Sequence, residues 1–408
     1  MNRNQTIDNT YSLKIKEKYW QLDPDLKFLN HGSFGACPIP ILEYQQQIRS
    51  QMETQPVRFF NRELEPLLDS ARIKLGNFLG ANPEDLAFIP NATTGVNTIL
   101  RSLSFNSGDE ILITNHEYNA CRNAVEFVAQ RTGAKVKVAQ IPFPLQSVAQ
   151  VVDAIVNHVS KATKLVLIDH VTSPTALVLP LNAIVRELNR QGIDTLVDGA
   201  HAPGFISLNL QEIGATFYTG NCHKWLFSPK GAAFLYVKPQ KQSQIRPLSI
   251  SHGANSLRTD RKSFRLEFDW MGTDDPTAYL CVPKAIDWVE SLLANGWQEL
   301  RLKNRNLVLE ARKIIANKLE LDLPCPDEMI GSMASIPLNT IVTEDNLSAE
   351  LLQAELLTQF KIEIPIIPFP QINDKIMRIS AQIYNNLDEY IYLADVIKNY
   401  YSIKIPNI

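Results

Sequence analysis

Between residues 86 and 237 the chain alternates short apolar runs with amphipathic stretches. The runs at 86–89, 109–114, 135–141, 164–171, 194–198 and 232–237 have strand length. Helical spacing is expected between them, from Thr93 or Thr94 onward and near 119–131, 147–159 and 181–191. Strands alternating with helices of this length predict an α/β fold with a largely parallel sheet covered on both faces. Ahead of it, Leu64, Leu67, Leu68, Ala71, Leu75, Phe78 and Leu79 recur at helical spacing and stop at Gly80.

Past Val237 the texture changes. A polar, basic stretch covers 252–265, a helix is expected from Pro276, and Pro283 should kink or end it. Helical periodicity continues through 285–293 and 297–319. The remainder reads as a strand at 335–342, a helix at 349–360, a proline-rich stretch at 364–370, a strand at 376–379 and a helix at 387–400. Residues 1–60 carry no repeating strand pattern. The expected organisation is an N-terminal segment (1–60) packing on a small domain, a large domain (61–285) with a mainly parallel central sheet flanked by helices, and a smaller α+β C-terminal domain (286–408).

The length of 408 residues is ample for two domains, and 45% hydrophobic with 20% charged residues is ordinary globular composition. A formal charge of −3 gives no basic excess for a nucleic-acid partner. Residues 1–8 lack the apolar core of a signal peptide, and no apolar segment reaches membrane-span length, so a cytoplasmic location is the default expectation. Cys37, Cys121, Cys222, Cys281 and Cys325 are scattered and odd in number, which argues against a disulfide framework or a structural zinc site.

Candidate chemistry gathers where strands end, since ligands on parallel sheets sit at carboxyl ends. Tyr118, Ser173, Asp198, His201 and Lys224 fall there. Thr195-Leu196-Val197-Asp198 closes an apolar run on an acid, and Cys222, Trp225, Leu226 and Phe227 predict burial of Lys224. Burial penalises an ammonium, lowers its pKa and makes the amine a usable nucleophile. A buried amine and a buried acid suit pyridoxal phosphate, which needs a Schiff-base lysine and a carboxylate that keeps its ring nitrogen protonated. Lys224 and Asp198 are the candidate catalytic pair. A metal site of Asp198, His201 and His223 is the competing reading; it lacks a further ligand, and Lys224 would repel the cation.

Other stretches are open to two readings. The turn at 91–97, with Ala92, Thr93 and Thr94, is either an ordinary helix cap or a phosphate site, because both use free N–H groups at a helix start. Tyr118 is an exposed aromatic or a ring that stacks on a flat cofactor. The glycine-rich stretch 30–38 is a plain loop or the lip of a substrate site. Arg58, beside two aromatics, is a solvated arginine or a group that meets a substrate carboxylate.

Taken together these residues resemble the class V aminotransferase family of fold-type I pyridoxal-phosphate enzymes, over most of the chain from about Phe28 to Tyr384. Asn91-Ala92-Thr93-Thr94-Gly95-Val96-Asn97 is similar to the family's phosphate cup, and the run ending at Glu117-Tyr118 to its strand before the ring-stacking residue, often histidine in relatives. Asp198-Gly199-Ala200-His201 matches the pyridinium-binding motif, with His201 where relatives often carry a glutamine that contacts the phenolic oxygen. Ser173 stands where many relatives have asparagine. Asn221-Cys222-His223-Lys224 is similar to serine-glycine-histidine-lysine and keeps the last two. Gly272-Thr273 resembles a pair that reaches the phosphate of the neighbouring subunit, which implies a homodimer with shared sites. Arg378-Ile379-Ser380 with Tyr384-Asn385 resembles the motif whose arginine holds the substrate α-carboxylate, a task suited to a planar bidentate donor.

Within the family, Asn30-His31-Gly32-Ser33-Phe34-Gly35 and Trp270-Met271-Gly272-Thr273-Asp274-Asp275-Pro276 are most similar to the isopenicillin N epimerase-like branch, which also contains C–S lyases. Asn30, His31 and Arg378 are the expected substrate contacts. A cysteine desulfurase would carry a reactive cysteine shortly before the carboxylate arginine, and residues 361–368 have none. The resemblance implies an enzyme acting at the α-carbon of an amino acid or amino-acid-like substrate, by epimerisation or alternatively by C–S lysis that releases a keto acid and ammonia.

Overall fold

The structure, a computed structural model, describes residues 9–338, 348–371 and 374–404. Residues 1–8, on which the signal-peptide reading rested, lie outside that set, as does the distal half of the strand expected at 335–342.

Among the described residues twelve strands are numbered in chain order. They are β1 (Lys27–Phe28), β2 (Leu86–Ile89), β3 (Glu110–Thr114), β4 (Lys135–Ala139), β5 (Thr163–Asp169) and β6 (Asp194–Asp198). The others are β7 (Phe217–Asn221), β8 (Ala233–Val237), β9 (Met333–Pro337), β10 (Ile362–Glu363), β11 (Ile366–Pro368) and β12 (Lys375–Ser380). The central sheet has seven strands in the order β2-β8-β7-β6-β5-β3-β4. All its pairings are parallel except those of β8, which runs against both β2 and β7.

Both faces of this sheet are covered, as continuous apolar strands require. Along β5, Leu165 and Leu167 enter one core cluster while Val166 and Ile168 enter the other, and all four are fully buried. Register places Asp169 beside Asp198 and Asp198 beside Thr219 at the carboxyl ends of β5, β6 and β7. That alignment brings acids from separate strands to one spot.

The C-terminal part holds the antiparallel sheet β11-β12-β9, and β1 pairs in parallel with β10. Sequence periodicity missed two helices near the start, Asn9–Tyr19 and Ile39–Thr54. The second turns Gln45 inward beside Ile41 and Ile48, and its amide donates to the Thr277 hydroxyl at 3.0 Å, so a polar residue occupies a core position. Pro283 stands in the first turn of helix Val282–Leu292, where its missing N–H is harmless, and helix Thr277–Leu280 stops before it. The boundary placed near residue 285 falls inside that helix. The basic stretch 258–265 is pinned by ion pairs: Arg258 and Arg261 to Glu65, Arg261 and Arg265 to Asp69, and Arg265 to Glu84 and Asp269.

Candidate active site

Lys224 follows β7 and is half-buried. Burial, and after it the Arg378 charge, lowers its pKa to about 8, against the opposing pull of Asp198 and Asp169. Its Nζ lies 3.3 Å from His201 Nε2, and the other ring nitrogen of His201 accepts from the Trp225 indole at 3.4 Å. Burial, reinforced by the Lys224 and Arg378 charges, holds the His201 pKa well below its ordinary value, so the imidazole is neutral.

Asp198 ends β6 and is 2% exposed. Its Oδ1 accepts from the Ala200 N–H at 2.9 Å and its Oδ2 from the Cys121 thiol at 3.1 Å. Burial raises its pKa, while these two bonds and Lys224 pull it back down. Two further buried acids stand nearby. Among the described residues neither carboxyl oxygen of Glu117 has a side-chain or main-chain partner at hydrogen-bond distance, and nor does Asp169 Oδ2. Both pKa values are raised well above the carboxylate range, chiefly by burial and then by neighbouring acids. An acid cluster so enclosed calls for a cationic partner. Pyridoxal 5'-phosphate fits this demand, because its ring nitrogen carries a proton that a carboxylate can hold.

The phosphate end fits as well. Helix Ala92–Ser102 opens on Asn91, whose Oδ1 accepts from the Thr94 N–H at 2.8 Å and from its hydroxyl at 3.1 Å. The Ala92 N–H donates to Asn221 Oδ1 at 2.8 Å. Thr93 keeps its N–H and hydroxyl without a protein partner among the described residues, at the positive end of a helix dipole. His223 has its Nδ1 2.8 Å from the Ala232 carbonyl, to which it donates, and burial lowers its pKa to about 4. The metal trio weighed from the sequence is thus divided, with His201 turned to Lys224 and Trp225 and His223 to Ala232. Among the described residues Glu117, Cys121 and Asp198 place ligand atoms within 4.8 Å of one another, but burial and these acids keep the Cys121 thiol protonated, which is poor metal-binding chemistry.

Arg378, on β12, is 3% exposed. Its Nη1 donates to the Ser173 carbonyl at 2.5 Å and its Nη2 to the Ser33 hydroxyl at 3.0 Å, while Nε has no partner among the described residues. Burial lowers its pKa to about 10, so it stays cationic. A buried guanidinium with a free donor suits an anionic group. Ser173 touches this arginine through its main chain, and its hydroxyl stands 3.5 Å from Nη1.

Asn30 accepts from the Ser33 hydroxyl at 2.5 Å and donates to Glu363 at 3.0 Å. His31 is fully buried, with Nδ1 2.7 Å from the Tyr384 hydroxyl and Nε2 3.2 Å from the Lys224 carbonyl. Tyr118 is 44% exposed, which leaves its ring free to cover a ligand. Thr273 is exposed, following Gly272 at φ +128°. Arg58 pairs with Glu63 on the surface at 2.6 Å. Sequence reading passed over Glu117, Cys121, Asp169, Asn221, Ser33 and Trp225. Of these, Asp169 carried a signal, since it closes the apolar strand β5.

Fold and site together define an enzyme that uses pyridoxal 5'-phosphate at the α-carbon of an amino acid. The chain belongs to the aminotransferase class-V family, whose model matches residues 40–389. It is 32% identical to a probable chloroplastic L-cysteine desulfhydrase of Arabidopsis thaliana, over 95% of this chain and 85% of that protein. It is 34% identical to the isopenicillin N epimerase of Amycolatopsis lactamdurans, over 92% of this chain and 96% of that protein. A solved cystine C–S lyase in complex with cysteine persulfide shares the fold, with a TM-score of 0.75 at 21% identity over 91% of this chain and 97% of that one. No described helix is long and apolar enough to cross a membrane.

Proposed function

We propose that this enzyme is a C–S lyase, which removes the α-proton of a sulfur amino acid and expels the sulfur from the β-carbon. The observation that carries this reading is that Lys224, its pKa lowered to about 8, stands just past the end of β7 beside Asp198 and His201 as the amine base of the site. The imidazoles of His31 and His116 each have both ring nitrogens engaged by other protein groups. Elimination needs a single base. The overall reaction takes the sulfur amino acid and water to a thiol, a keto acid and ammonia.

In this reading the bound cofactor supplies an electron sink for the α-carbanion. Asp198 holds the ring nitrogen, with Cys121 and Ala200 fixing its carboxylate, and His201 donates to the phenolic oxygen. At the helix start formed by Ala92, Thr93 and Thr94, Thr93 offers its N–H and hydroxyl to the phosphate together with His223, while Tyr118 covers the ring. Ser173 seats Arg378, which takes the substrate carboxylate, and Asn30 and His31 shape the substrate side. Lys224 accepts the α-proton in its amine form, which burial favours. Thr273, exposed in the single chain, reaches the cofactor of a second copy in a homodimer. Five free cysteines suit a reducing compartment such as the cytoplasm.

Epimerisation is the second reading, favoured by the 34% identity to an isopenicillin N epimerase. It requires return of the proton to the opposite face, where Tyr118 is the available group. Incubation of the holoenzyme with L-cysteine and other amino acids in heavy water separates the two. Keto acid, ammonia and released thiol support the lyase. Deuterium at an inverted α-carbon, with no keto acid, would replace it with the epimerase. Sedimentation equilibrium tests the dimer, and a lower cofactor affinity of Thr273→Ala tests its shared site.

A further inference from the structure

The loop at 30–35, in which His31–Phe34 form a single helical turn, touches the backs of both charged groups of the site. His31 Nε2 lies 3.2 Å from the Lys224 carbonyl, and the Tyr384 hydroxyl lies 2.7 Å from Nδ1. A carbonyl only accepts, so Nε2 carries the proton and Nδ1 takes the bond from tyrosine. The ring is packed against Trp225 at 4.7 Å, Phe227 at 5.6 Å and Tyr384 at 5.9 Å between centroids. Burial lowers its pKa to about 3, so it holds one tautomer and carries no proton to or from substrate near neutrality.

Four residues on, Gly35 lies flat against the lysine. At φ +70°, a Cβ there would stand 2.5 Å from the His223 carbonyl oxygen and 2.9 Å from the Lys224 Cα. Lys230 ties the Gly35 carbonyl down at 2.9 Å. Between them Ser33 accepts from Arg378 and donates to Asn30, which donates to Glu363. This chain runs from a cation to an anion with every donor aligned, an arrangement in which each bond polarises the next.

We infer that loop 30–35 is a clamp that sets the spacing of Lys224 and Arg378, with His31 the positioning residue for the lysine and Ser33 for the arginine. The inference rests on the reading of Lys224 as the cofactor lysine and Arg378 as the carboxylate group. Neither His31 nor Ser33 meets substrate in it. Each acts through the residue it holds, and a misplacement of about 1 Å costs on the order of a hundredfold in rate.

The test uses the cofactor-loaded enzyme with four variants. His31→Ala should lower kcat about 10- to 100-fold with KM nearly unchanged, and should shift the pH titration of the visible absorbance of the lysine-bound cofactor. His31→Gln, which keeps an N–H near the Nε2 position, should recover most of both. Tyr384→Phe, which frees the ring, should lie between them and keeps the test valid if His31→Ala does not fold. Ser33→Ala should raise KM and leave the titration in place. Overturning results are His31→Ala with native kcat and titration, His31→Gln as damaged as His31→Ala, or Ser33→Ala and His31→Ala changing the same constants alike. Retention of the visible band in Lys224→Ala would sink the underlying assignment instead, so the two failures are distinguishable.

Discussion

Nζ of Lys224 lies 3.3 Å from Nε2 of His201, and the Trp225 indole nitrogen lies 3.4 Å from the other ring nitrogen of that histidine. An indole only donates, so Nδ1 accepts and the proton of the neutral ring sits on Nε2, facing the lysine. An ammonium at Nζ would meet an N–H head-on, whereas an amine accepts it. Local hydrogen bonding therefore works in the same direction as burial, toward the nucleophilic form.

The pH dependence of cofactor capture follows. Only the amine attacks a carbonyl, and Lys224 has its pKa lowered to about 8. Its neutral fraction falls tenfold per unit below that value and saturates above it. The rate at which the apoprotein takes up pyridoxal phosphate, followed by stopped-flow absorbance, should rise to about pH 8 and then level off. A rate still climbing toward the ordinary lysine value of about 10.4 would show a solvated amine.

Lys224→Ala should abolish the lysine-bound absorbance and lower turnover by a factor on the order of 10²–10⁴, the range for loss of a positioned base. Native turnover would reject the role given to this residue.

Asp198→Asn keeps the size of the side chain and removes its charge. Proton exchange at the substrate α-carbon in heavy water should slow on the order of 10²–10³-fold. Cys121→Ala removes one neutral donor, worth about 1 kcal/mol, and should slow exchange about fivefold. Equal effects would mean that the thiol, and not the carboxylate, governs the ring.

Arg378→Lys substitutes a point charge for a planar fork that already serves the Ser173 carbonyl and the Ser33 hydroxyl. Loss of a hydrogen bond to a charged group costs about 1.5–3 kcal/mol. Steady-state kinetics should show KM raised about 10- to 100-fold, with kcat less affected.

Gly35→Ala should destabilise the fold by about 1–3 kcal/mol, because its positive φ and the nearby main chain leave no room for a methyl group. Urea unfolding should show a lower midpoint at unchanged slope. An unchanged midpoint would mean that the loop sits away from Lys224.

The parts legible beforehand share a physical reason. Continuous apolar strands such as Leu165-Val166-Leu167-Ile168 announce a sheet buried on both faces, and an acid closing such a strand announces a carboxyl at its ligand-binding end. The position of Asp198 at the carboxyl end of β6 was legible on those grounds. The helix Ile39–Thr54 was hidden because Gln45 occupies a core position satisfied by Thr277, 232 positions away. Asp169 closes an apolar strand in the sequence, but that its Oδ2 has no hydrogen-bond partner among the described residues emerges only from the fold.

By itself, then, the chain determined its strand order of appearance, its buried amine and acid, and the chemistry these two can support, since burial and charge cost are properties of short segments. Which side chains are left free was decided by tertiary structure alone. His31 and Asn30 read as substrate contacts in isolation, yet the folded molecule spends their polar atoms on Tyr384, Lys224, Ser33 and Glu363. A polar group's availability depends on partners hundreds of residues away, and only folding brings those partners within hydrogen-bond reach.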